Sequence, residues 1–119
     1  MAPVHVGDWS GKEQRQHKRV LLRVPITCHA SQTTVEGSAE NVSVSGLLIR
    51  AEKTFAEGEE ITLRFHLPGS SEGIECRVQV AHVVPDVFMG VEFLNLPPES
   101  FALIEKYVAA APALQAKPR

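Results

Sequence analysis

Cysteine is scarce in this chain of 119 residues: Cys28 and Cys76 are the only two, and neither belongs to a CxxC pair. A disulfide scaffold or a thiolate zinc site needs a denser pattern, so both are excluded. Each cysteine falls on the apolar phase of a predicted strand and reads as a buried thiol. Long hydrophobic runs are missing as well. No stretch approaches about 18 consecutive apolar residues, and residues 1–12 hold no apolar leader segment, so a cytoplasmic protein without membrane insertion is expected. The glycosylation-like triplet Asn41-Val42-Ser43 carries no weight in that setting. Aromatic residues make up only 6% of the chain, which points to an aliphatic core.

An excess of positive charge is also lacking. Lysine and arginine total 12 against 14 aspartate and glutamate, a net charge of −2, and bulk electrostatics therefore gives no reason to expect nucleic acid as a partner. The cations are instead concentrated. Lys12, Arg15, Lys18, Arg19 and Arg23 face only Glu13 between positions 12 and 23, which suits a small anionic ligand better than a long polyanion. Catalytic patterns are missing too. His5, His17, His29, His66 and His82 are scattered without an HxxxH or HExxH pair, so no metal site is expected. There is no G-x-S-x-G, P-loop, GxGxxG or paired-carboxylate arrangement, so the chain is not read as an enzyme.

What the sequence does contain is alternation. The length fits one domain. Val20, Leu22, Val24, Ile26, Cys28 and Ala30 share one phase, and Arg19, Leu21, Arg23, Pro25, Thr27 and His29 share the other. This is a half-buried strand with both arginines on its outer face, and Pro25 argues for an edge or a bulge there. A second extended run, residues 34–42, carries Val42 and Val44 into the inward phase and Asn41, Ser43 and Ser45 into the outward one. Further strands follow at Leu47–Ile49, Ile61–Leu67, Ile74–Val80 and Phe88–Phe93, with a phase slip at His82-Val83-Val84 that reads as a bulge. Turn signals stand at residues 57–59, 68–71 and 85–86. The period then changes: Pro97 and Pro98 suit a helix start, and Phe101, Ile104, Val108 and Ala111 line one side, widened by Leu103 and Tyr107. The pattern predicts a mainly β fold, a six-stranded antiparallel β-barrel with a C-terminal α-helix closing one mouth. Its expected limits are a flexible arm over residues 1–14, the barrel domain over 15–111, and a flexible tail over 112–119.

Two short motifs carry the chemistry. Arg19-Val-Leu-Leu-Arg23 offers two guanidinium groups, and Asn41-Val-Ser-Val-Ser-Gly46 offers an amide, hydroxyls and a bare backbone. Guanine presents O6 and N7 as adjacent acceptors, which a guanidinium matches with parallel donors at about 1–3 kcal/mol. Arginine also pairs bidentately with phosphate and stacks flat on a purine. Four residues of extended strand span roughly 13 Å, so the two arginines could hold separate parts of one ligand. Asn41 can donate and accept on a purine edge, Ser43 adds a hydroxyl, and Gly46 lets the backbone come close. A ligand carrying both phosphate and guanine fits this set.

Residues 14–108 resemble the PilZ domain family of cyclic di-GMP receptors. That family carries RxxxR followed about twenty residues later by D/NxSxxG, and every position is filled here. Met89-Gly90-Val91-Glu92-Phe93 is similar to the family's frequent glycine-containing final strand. The resemblance implies cyclic di-GMP as ligand, no cofactor, and Arg19, Arg23, Asn41, Ser43 and Gly46 as its contacts. Arg15, Lys18 and Ser45 are candidate additional contacts; Arg15 reads either as a solvated arm residue or as a phosphate clamp, and Ser45 as a turn residue before a ligand contact. The expected function is a stand-alone receptor whose arm and surface change on nucleotide binding and signal to an unidentified downstream protein. The alternative is a PilZ-like adaptor in pilus or motility machinery that binds no nucleotide. Binding of nucleic acid through the basic arm is disfavoured, because no aromatic platform interleaves with the arginines.

Overall fold

The computed structural model describes residues 17–114. The predicted alternation becomes six strands: β1 Val20–Ala30, β2 Thr33–Val42, β3 Gly46–Arg50, β4 Glu60–His66, β5 Gly73–Val84 and β6 Phe88–Asn95. All neighbours pair antiparallel, and they close into a barrel in the order β1-β2-β3-β6-β5-β4. Closure leaves no outer strand along the fully paired part of the sheet. The inward phase supplies the core: Leu47, Ile49, Leu63, Ile74, Met89 and Val20 are among its fully buried side chains. Cys28 and Cys76 lie in that core as expected. Burial pushes the Cys28 thiol from an ordinary 9.0 up to about 11. Burial, and then the Glu75 carboxylate, push Cys76 from 9.0 to about 12.

Turn chemistry falls where the sequence placed it. Gly58 takes φ +88° between Ala56 and Glu59, a conformation that costs other residues a steric clash. Ser70 N donates to Leu67 O at 3.1 Å across the next reversal. The slip near His82 is a register shift between Val80 and His82 against β6. Pro25 stands one residue beyond the β1–β4 ladder, which begins at Ile26↔Phe65, so its missing N–H interrupts no pair on that side.

The single helix among the described residues, α1, covers Pro98–Ala110. Its buried residues are Ser100, Ile104 and Val108, and Ile104 and Val108 join the barrel core. Phe101, expected on that face, is instead 39% exposed. The buried row runs i, i+4, i+8 through Ser100, and this narrow stripe leaves Phe101 one position round the helix. Two bonds fasten the carboxy-terminal end of α1 to the start of β1. Tyr107 Oη donates to Leu21 O at 2.8 Å, and Leu114 N donates to Arg19 O at 2.7 Å. The expected arm (residues 1–14) and positions 115–119 of the expected tail lie outside the described residues. No helix among the described residues is long and apolar enough to cross a membrane.

Candidate functional site

The site forms where β1 begins, and local irregularity shapes it. Leu21 pairs with Asn41 and Val24 with Ala39, so Leu22 and Arg23 together oppose Glu40. This two-against-one bulge bends the strand, and Arg23 takes φ 56° within it. For an arginine that left-handed conformation is uncommon and is held by the surrounding pairing. The two guanidinium groups reach consecutive residues of β2. Arg19 Nη1 donates to Asn41 Oδ1 at 3.0 Å, and Arg23 Nε stands 3.9 Å from the Glu40 carboxylate. The Arg23 side chain is 71% exposed, so it presents its donors to solvent.

The second motif is a tight reversal between β2 and β3. Ser43 N donates to Gly46 O at 2.9 Å and closes a turn whose tip is Val44 and Ser45. Ser45 N donates to Ser43 Oγ at 3.1 Å, and the two hydroxyls lie 2.9 Å apart. Ser43 is only 1% exposed, which corrects the outward phase expected for it. The alternation of β2 stops at Val42, and the turn folds the next hydroxyl inward where a backbone N–H satisfies it. Gly46 also serves the barrel itself. It is not among the glycines with positive φ. A Cβ there would stand 2.0 Å from Val91 O on β6, so the glycine admits a neighbouring strand. Phe93 N donates to Ser45 O at 3.0 Å and fastens the turn to that strand.

A narrow cleft of about 30 Å³ runs between these parts, lined by Arg19, Ser45, Gly46, His82, Gly90 and Glu92 among others. It brings Arg19 together with the β2–β3 turn; Asn41 adjoins it through its bond to Arg19, and Arg23 does not line it. Ser43 lies beneath the surface, within the turn. Lys18 is half-buried just before β1, and Arg15 lies outside the described residues. His82 and Glu92 are site-lining residues that sequence reasoning did not select. The signal for His82 was the β5 phase slip, since the register shift there sets His82 opposite Gly90, and Gly46 pairs with Glu92. A larger groove of about 810 Å³, lined by Thr34, Glu36, Arg50, Lys53 and Asp86 among others, contains no residue of either motif. Its size alone gives it no claim to the chemistry. Among the described residues no group of His, Cys, Asp and Glu could hold a metal ion.

The family model described as "PilZ domain" matches residues 13–110. The inhibitor of motility MotI/DgrA of Bacillus subtilis superposes with a TM-score of 0.71 at 17% identity, over 80% of this chain and 49% of that one. This chain therefore spans about half the length of that protein. The PilZ domain of YcgR from Escherichia coli, solved with c-di-GMP, gives a TM-score of 0.68 at 12% identity over 82% of this chain and 91% of that one. YcgR from Escherichia coli in complex with c-di-GMP gives 0.63 at 15%, over 82% and 45%. At these identities the likeness is one of fold. No curated protein matches the chain.

Proposed function

The chain belongs to the PilZ domain family, and from that premise we propose that it is a cytoplasmic receptor for cyclic di-GMP that signals to a protein partner. The observation that carries the proposal is the reach of Arg19 and Arg23 to consecutive residues of β2 beside the Ser43–Gly46 turn. Arg23 supplies an exposed cationic fork suited to phosphate or to the guanine O6/N7 edge. Arg19 supplies a second fork already oriented by Asn41, whose amide group can also meet a purine edge. Ser43 contributes by setting the turn, and Ser45 by placing a hydroxyl at the cleft. Gly46 keeps β3 and β6 close enough for that cleft to be narrow.

A cleft of about 30 Å³ does not enclose a dinucleotide, so the ligand lies across this surface, and residues preceding β1 fold over it. Arg15 and Lys18 are placed in sequence to add phosphate contacts from that side. The covered surface differs from the bare one, which is what a partner can read. The two bonds from α1 and Leu114 to β1 connect that change to the helix end. Isothermal titration with cyclic di-GMP, with GMP as control, tests the reading. Binding should be lost in Arg19→Ala and Arg23→Ala and should weaken with added salt. Wild-type affinity in both variants would refute it.

A further inference from the structure

Glu40 is the one carboxylate placed among the motif residues of β1 and β2, and nothing in the proposed ligand chemistry uses it. It sits at a double irregularity. Against β1 it alone opposes Leu22 and Arg23, and against β3 it is skipped, since Ala39 pairs with Ile49 and Asn41 with Leu48. Its side chain is 22% exposed and stands between two arginines: Arg23 at 3.9 Å on one side and Arg50 at 4.0 Å on the other. Neither contact reaches hydrogen-bond length, so exchanging one cation for another breaks no bond. Both arginines are mostly exposed, at 71% and 63%.

Resting on the proposed reading, we propose that Glu40 competes with the ligand's phosphate for Arg23 and that Arg50 is the cation to which Glu40 is handed when the ligand binds. A phosphate approaching Arg23 meets the Glu40 carboxylate at close range, and like charges there oppose binding. Arg50 offsets that repulsion from β3 without touching the ligand. Glu40 thus lowers the affinity of the site for anions, and Arg50 limits the loss. The arrangement holds Arg23 paired when no nucleotide is present and sets the concentration at which the receptor fills.

The test is a titration of four folded proteins with cyclic di-GMP at two salt concentrations: wild type, Glu40→Gln, Arg50→Gln and the double variant, with Arg23→Ala as the non-binding reference. Glu40→Gln should bind about threefold to tenfold more tightly, with a steeper loss on adding salt, because one screened carboxylate has gone. Arg50→Gln should bind about threefold more weakly, and that loss should vanish in the Glu40→Gln background. A merely structural role for either residue moves neither the salt dependence nor this coupling. Wild-type binding that Arg23→Ala abolishes, together with unchanged or weaker binding by Glu40→Gln, overturns this inference and leaves the receptor reading standing. An Arg50→Gln loss that persists in the double variant overturns it also. Failure of the wild type to bind refutes the receptor reading itself, and the inference with it.

Discussion

Replacing Gly46 with alanine should destabilise the barrel, whereas the same change at Gly90 should not. A Cβ on Gly46 would stand 2.0 Å from Val91 O, 3.0 Å from Val91 C and 3.2 Å from Glu92 Cα. Comfortable C···O contacts begin at about 3.3 Å, so more than about 1 Å of overlap must be relieved. The obstacle is backbone, and no side-chain rotation can remove it. β3 would have to move off β6, straining the Gly46↔Glu92 pair and the Phe93 N to Ser45 O bond beside it. Overpacking of this kind costs about 1–3 kcal/mol, and a weakened ladder bond adds about 1. With roughly 4 °C per kcal/mol for a domain of this size, the melting temperature should fall by about 10–15 °C. On Gly90 the new methyl meets only His82 Cβ at 3.7 Å, an ordinary contact, and the change should stay within about 0.5 kcal/mol. Thermal melts followed by circular dichroism without ligand read both variants. A Gly46→Ala protein that melts with the wild type would refute the close approach of β3 and β6. If it unfolds as stated, lost nucleotide binding in that variant reports the barrel and not a ligand contact at residue 46.

Other outcomes follow from burial. Ile104→Ala should cost about 2–5 kcal/mol in urea denaturation, because Ile104 is fully buried; Phe101→Ala, at the 39% exposed position, should cost under about 1 kcal/mol. Equal losses would overturn the orientation of α1. Ser43→Ala removes the buried acceptor of Ser45 N and should destabilise by about 1–2 kcal/mol in the same assay; an unperturbed melt would remove its role in the turn. Both thiols should resist a thiol reagent at about pH 8 until the protein is denatured, since their raised pKa values leave little thiolate. Raised values mean that the folded state keeps protons that the unfolded chain sheds. The stability this adds is complete below the ordinary 9.0 and is lost as pH climbs toward about 11 for Cys28 and about 12 for Cys76. Cys76→Val should flatten the alkaline decline measured by urea midpoints, and an equally steep decline would contradict the buried assignment.

Most of the barrel was legible because period-two alternation fixes which side chains face inward, and a closed sheet rewards it on every strand. Cys28, Ile61, Leu63, Ile74 and Val78 all fall on the buried face their phase predicted. The failures occur where the period stops applying. Ser43 follows the last paired residue of β2, and a turn, unlike a strand, sends neighbouring side chains in directions set by its own hydrogen bonds. Phe101 was placed by helical spacing alone, which leaves the stripe uncertain by one position when a small residue such as Ser100 can sit on its axis. The site was half legible. Arg19 and Asn41 are distant in sequence, and their 3.0 Å bond depends on the β1–β2 register. His82 and Glu92 come from the far side of the sheet order, where a slip in β5 marked His82 alone.

The Arg19–Asn41 bond also bears on selectivity. Arg19 gives one of its five guanidinium N–H groups to Asn41 Oδ1, so a ligand that takes that N–H exchanges a bond, and one that meets the rest of the fork adds bonds. A neutral exchange of this sort is worth little in net free energy. An acceptor that only displaces Asn41 from that one N–H gains little hydrogen bonding at Arg19. A ligand offering two parallel acceptors recovers the lost contact and adds another, as the guanine edge does, and it leaves the Asn41 amide to be met by a further polar group of the same base. Arg23, exposed and at ion-pair distance from Glu40 but at hydrogen-bond length from no described residue, has no bond of that kind to exchange and responds to charge. On the proposed reading, Arg19 favours a ligand with paired acceptors and Arg23 one with negative charge, so a molecule that carries both at the right separation satisfies the pair.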